Sequence, residues 1–435
     1  MSDAGEILRN LPLEAFEAPQ PNDAWARCPL ASVSDGTLVQ SVAAAITRPK
    51  IQIDSSFLLH APLELLARAW HLQHLPPNKR EAARRRIAEI AVRYAGSGPE
   101  IESRPKEYPD TDHALSEACT ALRTGDADTV DAALLFLLPR ISVEHLRSSL
   151  ADEILPSLAS AAHAPILLMM LPIGASRFPG ASALLRSPLR ALSLHADLRL
   201  TWMETARSSA TGDAPGLFDC LAAPLHIQSP EESIAPTMLA VERDGYAARL
   251  LAPSTSAVAV RDAKRILLRV AALSMLRDDP AHAPYGWTHC FTLPHSILSL
   301  TDVVSDTVRA VRIAATHALG FRATLGHTRL VYPYAPEPRL DSSLLGLEPA
   351  SAAAVAYHSV GDRRRSLRTQ LIECAAAHAD AHLVKYTMAC LTACDQDPDE
   401  SSLYLAAAAY LGAWWAAATS AIGCHGGRTS GARVG

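Results

Sequence analysis

The sequence predicts an all-α fold, formed as a single large multi-helix domain with kinked, buried helices around a central cavity. Apolar residues recur at helical spacing in a series of long segments. No stretch shows the sustained alternation of apolar and polar residues that a half-buried strand requires. Two apolar segments contain an internal proline, Pro62 and Pro165, each just after a His-Ala pair. A proline inside a helix leaves the carbonyl four residues earlier unbonded and kinks the axis.

The predicted elements follow in chain order. Residues 1–50 contain several prolines and are predicted to form an irregular N-terminal arm. The helical domain is predicted over 51–423, and the Gly/Arg-rich tail 424–435 is predicted to be disordered. Helical patterns within the domain cover 55–75, 78–95, 113–123, 126–138, 143–150, 153–176, 182–210, 262–277, 283–321, 350–360, 366–394 and 403–423.

Composition excludes several classes of function. The 435 residues carry a net charge of −5, so nothing favours binding to nucleic acid. The two arginine triplets, 84–86 and 363–365, are short and diluted by acids, which is typical of solvated helix faces or ends. The eight cysteines form no CxxC motif or dense framework. Reduced thiols and a cytoplasmic location are therefore expected.

One segment is long enough to cross a membrane. Residues 403–423 contain no charged side chain. Alanine contributes little to membrane insertion, and Trp414 and Trp415 fall in the middle of the segment rather than at an interface. We therefore predict a packed core helix and no membrane association.

The segment 366–394, read as one helix, places His378, His382 and Lys385 within about 60° of one another. Lys385 is one of only five lysines, against 35 arginines. A desolvated amine can become a nucleophile, a base or, after addition of CO₂, a carbamate, whereas a guanidinium cannot. The alternative is structural, with a lysine that extends its amine to solvent beside two hydrogen-bonded core histidines.

Common catalytic motifs are absent. The sequence has no GxGxxG after a strand, no Walker A loop, no GxSxG elbow, no HExxH and no helical Glu-x-x-His. What remains is a set of histidines in apolar segments. Each alone is more often a core residue than a ligand, but several that converge would suit a transition metal such as iron or zinc. These residues are His60, His163, His289, His295, His378 and His382.

The run His378-Ala-Asp-Ala-His382-Leu-Val-Lys385, followed by Leu403-Tyr-Leu-Ala-Ala-Ala-Ala, resembles the C-terminal signature of the questin-oxidase-like family. The segments around His60, His163 and Thr288-His289-Cys-Phe-Thr also resemble histidine motifs of that family, and the likeness extends thinly over residues 50–420.

The resemblance implies an all-α oxygenase of secondary metabolism that uses O₂ to oxidise or cleave an aromatic, quinone-like polyketide. It also implies a non-haem iron, Fe²⁺, held by four histidines and an N-carboxylated lysine. Carried over residue by residue, the ligands would be His60, His163, His289, His382 and carboxylated Lys385. A carbamate would turn a buried cation into an anionic oxygen ligand.

Several alternatives stay open at this point. His295 could replace His289, and His378 could contact a ligand rather than the metal. Within the same resemblance, the chain could be an NADPH-assisted Baeyer–Villiger monooxygenase without this iron site. The chain could also belong to a different class, as a non-catalytic helical interaction protein. In that case we expect the histidine side chains to lie in separate parts of the structure. The sequence does not indicate the oligomeric state.

Overall fold

The chain is α-helical throughout the residues that the computed structural model describes. These are residues 25, 29–51, 56–201, 214–223, 234–244, 246, 257–339, 341 and 343–424. They form 17 α-helices, several short 3₁₀ segments and one π-helical turn, Ala283–Trp287. The only β-type pairing among them is two isolated bridges, Lys50 with Glu100 and Ser157 with Arg199. The prediction of an all-α fold is confirmed.

The described residues divide into two compact units. The first takes those up to Thr201 together with 299–310 and 376–385. Its helices are α1 (Asp35–Ile46), α2 (Ser56–His74), α3 (Glu81–Ala95), α4 (Thr111–Thr124), α5 (Ala127–Leu137), α6 (Val143–Ile154), α7 (Ala164–Ala175) and α8 (Arg186–Leu194).

The remaining described residues form the second unit. Its helices are α9 (Ala214–Ala222), α10 (Ile234–Arg243), α11 (Ala257–Arg277), α12 (Thr288–Leu298), α13 (Thr307–Leu325), α14 (Pro349–Tyr357), α15 (Gly361–Ala377), α16 (Ala381–Gln396) and α17 (Ser401–Cys424). The start of α13, the end of α15 and the start of α16 belong to the first unit.

Local sequence explains many of the helix ends. The side chains of Asp110 and Asp126 accept backbone N–H groups in the first turns of α4 and α5, as expected of aspartate at an N-cap. Between these helices Gly125 adopts a left-handed φ of 87° and ends α4, a conformation that glycine adopts without steric cost. Ser142 caps α6 in the same way as the aspartates.

Each unit contains a buried ion pair. In the first, the guanidinium of Arg186 donates two hydrogen bonds to the carboxylate of Asp131, at 2.8 and 2.9 Å. In the second, Arg322 pairs with Asp278 and both side chains are fully buried. Removal of one partner from such a pair leaves an uncompensated charge in the interior, which is strongly destabilising.

The observed structure differs from the predicted elements near the N-terminus and in the middle of the chain. Residues 35–46, predicted as part of an irregular arm, form α1, whose first turn is capped by Ser34. The predicted helix 153–176 is wrong, because α6 ends at Ile154 and α7 begins only at Ala164. Pro165 lies in the first turn of α7, where its missing N–H has no partner to lose, so it does not kink a helix.

The prediction of one continuous helix over 366–394 is also wrong. Residues 378–380 interrupt it between α15 and α16. Pro62 and Pro294, by contrast, lie inside α2 and α12 without ending them. The pattern at 182–210 yields a helix only as far as Leu194 in the part of this segment that is described.

The alanine-rich segment at the C-terminus forms α17, which is buried over most of residues 403–413. No helix among the described residues combines the length and the apolar character needed to cross a bilayer. The predicted domain boundaries and the predicted central cavity stay predictions. Most of the N-terminal arm and the tail from residue 425 lie outside the described residues.

We expect Gly174→Ala to lower the free energy of unfolding by about 1–3 kcal/mol, although alanine is the better helix former. A Cβ at Gly174 on α7 would lie 2.8 Å from Leu66 Cδ2 on α2 and 2.9 Å from Ala181 Cβ. The measurement is chemical denaturation of the two proteins.

Gly96→Ala is the control, because a Cβ there meets only backbone oxygens at 3.7 and 3.8 Å and the φ of −75° is helical. That variant is expected to change stability by less than about 0.5 kcal/mol. Equal effects of the two substitutions would contradict close packing of α7 on α2.

Candidate metal centre

Four histidines come together in the described part of the chain. They are His60, His163, His289 and His382, and each offers one ring nitrogen that lies within 4.8 Å of the nitrogens offered by the others. Three of the residues are 5–8% exposed, and the side chain of His382 is 11% exposed. Such a cluster of imidazoles could hold a metal ion.

The four histidines come from segments far apart in sequence. His60 lies in the second turn of α2 and His289 in the first turn of α12. His163 immediately precedes α7, and His382 is the second residue of α16. The ring centroids of His60 and His163 are 4.6 Å apart and those of His60 and His382 are 4.7 Å apart, in both cases edge to face.

An unusual backbone turn orients the side chain of His163. Ser160, Ala161 and Ala162 have φ values of 52°, 51° and 56°, in the left-handed region that costs roughly 1–2 kcal/mol per residue with a Cβ. The turn places the carbonyl oxygen of Ser160 2.8 Å from Nδ1 of His163. Backbone strain of this kind persists where the surrounding structure demands it, often at functional sites.

His382 is held by Asp380. This aspartate precedes the first residue of α16, and its Oδ1 accepts the backbone N–H of His382 at 2.7 Å, as an N-cap does. The same oxygen lies 3.0 Å from Nδ1 of His382. Burial favours the neutral acid, but the hydrogen bonds and charge of His382 hold the pKa of Asp380 below its ordinary value. An ionised carboxylate can only accept, so Nδ1 carries the proton.

His289 and His60 also have an oxygen at Nδ1. Nδ1 of His289 is 2.6 Å from the carbonyl oxygen of Tyr285, one helical turn earlier. Nδ1 of His60 is 3.3 Å from Oγ of Ser56, again one turn earlier on the same helix. A carbonyl only accepts, which fixes the proton of His289 on Nδ1, whereas a hydroxyl can donate or accept and leaves both tautomers of His60 open.

Because Nδ1 carries the proton in neutral His163, His289 and His382, Nε2 is the nitrogen whose lone pair can bind a metal in each of these rings. Oxygen partners at the distal nitrogen are the usual companions of metal-bound histidine, because they fix the tautomer and the ring orientation. Nε2 of His60 and Nε2 of His163 are 2.9 Å apart. Neighbouring ligands of an octahedral ion with metal–nitrogen distances of about 2.1 Å are about 3.0 Å apart. The residues present fit a transition-metal ion.

Lys385 lies one turn after His382 on α16 and is 2% exposed. Its Nζ has no hydrogen-bond partner among the described residues. Burial lowers the pKa of Lys385 from 10.5 to about 7, against a smaller opposing effect from the carboxylates of Asp380 and Glu64. The amine is therefore close to half deprotonated at neutral pH, and a deprotonated amine is the form that can react with CO₂.

The histidines close to this amine are neutral at pH 7. Burial and then the nearby charge of Lys385 lower the pKa of His163 well below 6.5. The same two effects lower the pKa of His382, while Asp380 opposes them. Neutral imidazole is the form that binds a metal, so protons do not compete for these two rings near neutral pH.

His295 and His378, the two alternative residues, do not belong to the cluster. His295 is buried on α12, where its ring is parallel to that of Phe291 at a centroid distance of 6.0 Å. Burial lowers its pKa to about 4. His378 lies in the break before α16 and accepts the backbone N–H of Asp380 at Nδ1. The prediction that His378 shares a helix face with His382 is wrong, because α15 has already ended.

Sequence reasoning missed two contributors to the site. The sequence analysis assigns no role to Asp380, although the pattern Asp380-Ala-His382 is a signal for an N-cap followed by the first turn of a helix. The left-handed turn at residues 160–162 has no sequence signal, because serine and alanine are not residues that favour this conformation.

Comparisons with known proteins found no match: no family model, no curated protein and no solved structure resembles the chain closely enough to be reported. The resemblance to the questin-oxidase-like family stays a prediction.

We expect metal-free Lys385→Met protein to be more stable than metal-free wild type at pH 6–7, with a difference that shrinks towards pH 10. The pKa of Lys385 is about 7 in the folded chain and 10.5 ordinarily. Between these values the unfolded chain binds the extra proton, so wild-type stability rises with pH by up to about 1.4 kcal/mol per unit. Denaturation at several pH values in chelator and CO₂-free buffer measures this, and identical pH profiles would contradict it.

Proposed function

We propose that this chain is a metal-dependent oxygenase that binds a non-haem iron through His60, His163, His289 and His382 and oxidises an aromatic, quinone-like substrate. The observation that carries the proposal is the convergence of the four histidines, each with an oxygen at Nδ1. A structural cluster of core histidines would not need to place four ring nitrogens within 4.8 Å of one another.

The donor set favours a redox metal with open coordination positions. Four neutral nitrogens are borderline ligands that suit iron, zinc or copper better than calcium or magnesium. Fe²⁺ accepts up to six ligands, so with four histidines and a carboxylated Lys385 one position would remain, for O₂ or for a substrate oxygen. When bound, such an ion supplies one-electron chemistry with O₂ that no side chain of the cluster can supply by itself.

The charges near the cluster support a carboxylated Lys385. A divalent ion on four neutral imidazoles would place two positive charges in the interior, where an uncompensated charge is costly. Asp380 contributes one negative charge through its contact with His382. A protonated Lys385 would add to the positive charge, whereas a carbamate on Nζ would supply the second negative charge. Glu64 and Arg68 cancel each other in a buried pair.

The aromatic substrate rests on the family resemblance rather than on a described pocket. The chain's own part in the reaction is to hold the ligand rings, to keep them neutral and to exclude water from most of the site. The 5–11% exposure of the four histidines fits an enclosed site with narrow access.

We expect purified protein to hold about one iron per chain and His382→Ala to lose it, because the variant removes one of the four nitrogens. His295→Ala and His317→Ala are matched controls. Both histidines are buried and have a pKa lowered to about 4 by burial, yet neither belongs to the cluster. Elemental analysis measures the metal. Iron retained in His382→Ala, or no metal in any preparation, would refute the site.

The oxygenase part has its own test, in which O₂ consumption is followed with a hydroxylated anthraquinone. The Fe²⁺-loaded protein should consume O₂ without NADPH, and the Zn²⁺-loaded protein should not, because zinc has no redox chemistry. Consumption that needs NADPH and survives in His382→Ala would instead support the Baeyer–Villiger alternative. Metal binding with no turnover of any aromatic substrate would leave a metal site and refute the proposed reaction.

We expect ¹³C-labelled bicarbonate to give a carbamate carbon signal in Zn²⁺-loaded wild type, where the metal is diamagnetic, and none in Lys385→Ala. The amine is buried, has a lowered pKa and lies beside His163 and His382, which favours the neutral form that adds CO₂. The variant should also bind Fe²⁺ more weakly, since it loses an anionic ligand. A metal-loaded wild type without a carbamate signal would show that Lys385 is not a ligand in this form.

A further inference from the structure

The break between α15 and α16 is held by a buried arginine of α2. Arg68 is 0% exposed, and it donates to two backbone carbonyls, that of Ala376 at 2.7 Å and that of His378 at 2.7 Å. Ala376 is the last but one residue of α15, and carbonyls at a helix end have no partner within the helix. Arg68 therefore donates hydrogen bonds to backbone carbonyls at the point where α15 ends.

The guanidinium of Arg68 is itself fixed in orientation. Oε1 of Glu64, one turn earlier on α2, accepts from Nε of Arg68 at 2.8 Å and from Nη2 at 2.6 Å. Both side chains are buried. A buried ion pair adds little net stability compared with apolar side chains of similar size, because desolvation opposes the attraction. The pair is better explained by the two backbone carbonyls that the planar guanidinium of Arg68 holds in position.

The same face of α2 carries a histidine of the cluster. Residues 60, 64 and 68 are four apart, so successive members turn by only about 40° around the helix. His60 thus stands above Glu64 and Arg68 on α2. A single helix presents one ring of the cluster and, two turns later, the group that shapes the chain segment leading to His382.

A continuous series of contacts leads from that break to His382. The carbonyl of His378 accepts from Arg68, and Nδ1 of the same residue accepts the backbone N–H of Asp380 at 3.0 Å. Asp380 Oδ1 then accepts both the backbone N–H and Nδ1–H of His382. Each step fixes the position of the next group along the chain.

We propose that Arg68 and Asp380 are positioning residues. Arg68 holds the carbonyls of Ala376 and His378, where α15 ends and the break at 378–380 begins, and the Asp380 carboxylate then holds His382 with Nε2 directed at the other histidines. The inference rests on the proposed metal-binding function for its purpose. The contacts that it describes do not need a metal to be present.

The experiment compares Arg68→Lys with Arg186→Lys. Both substitutions replace a buried arginine that forms an ion pair in the first unit, and lysine cannot reproduce the two-pronged arrangement of donors. Of these two arginines, only Arg68 contacts the end of α15 and the break before α16. We expect Arg68→Lys to lower Co²⁺ affinity by about 10–100-fold and to speed hydrogen exchange of the His382 amide, while Arg186→Lys changes neither.

A second pair of variants separates charge from geometry at Asp380. Asparagine keeps an oxygen that can accept from His382, whereas alanine removes it. In metal-free protein labelled with ¹⁵N-histidine, wild type and Asp380→Asn should show His382 with its proton on Nδ1, and Asp380→Ala should show the proton moved to Nε2. Co²⁺ affinity should fall more in Asp380→Ala than in Asp380→Asn.

Two results would overturn the inference: equal Co²⁺ affinity and equal exchange of the His382 amide in the Arg68 and Arg186 variants, or an unchanged His382 tautomer in Asp380→Ala. If wild type binds no Co²⁺ or iron, the proposed function fails. The tautomer and the amide exchange of the metal-free protein then still decide whether the two residues position His382.

Discussion

The candidate site depends on the tautomers of three imidazole rings, that is, on which ring nitrogen carries the proton. Nδ1 of His163 and of His289 faces a backbone carbonyl, and Nδ1 of His382 faces a carboxylate. None of these oxygens can donate, so each ring must present an unprotonated Nε2 when it is neutral. Burial keeps His163 and His382 neutral by lowering their pKa values. The result is a group of rings whose Nε2 atoms can accept a proton or bind a cation, which is compatible with metal binding.

The fourth ring, His60, differs because its partner is the hydroxyl of Ser56. Without a metal, a proton on Nε2 of His60 can bridge the 2.9 Å gap to Nε2 of His163, with the hydroxyl then donating to Nδ1. With a metal, the proton can sit on Nδ1 and the hydroxyl can accept it. The Ser56 hydroxyl is therefore compatible with either tautomer of His60.

The sequence predicted the fold class and the residues of the cluster, but not how the residues are held. Helical periodicity is a local property and located a helix in each predicted segment, including those that contain Pro62 and Pro294. Three predicted segments, 153–176, 283–321 and 366–394, are nevertheless interrupted. Lys385 could be singled out because lysine is rare in this chain. The grouping of the histidines came from family resemblance, since spacing alone left His289 and His295 equivalent.

What the sequence could not predict is non-local. The break at 378–380 follows an alanine-rich run that contains no glycine or proline, and it depends on Arg68, which is 308 residues away from Ala376 in the chain. The left-handed turn before His163 opposes the intrinsic preferences of serine and alanine. The break is held in part by a contact 308 residues away, and the turn opposes the local preferences of its residues, so a short window of sequence does not predict either feature completely.

The separation between Arg68 and the segment it holds also orders events during synthesis. A nascent chain that has not yet reached residue 376 already contains His60, Glu64, Arg68 and His163, but it lacks both the carbonyls that satisfy Arg68 and the ring of His382. The incomplete chain lacks one histidine nitrogen of the cluster, and the guanidinium of Arg68 lacks its two carbonyl acceptors. The four histidines of the cluster are therefore present together only after residue 382 has been synthesised, so an ion that needs all four rings would bind no earlier than that point.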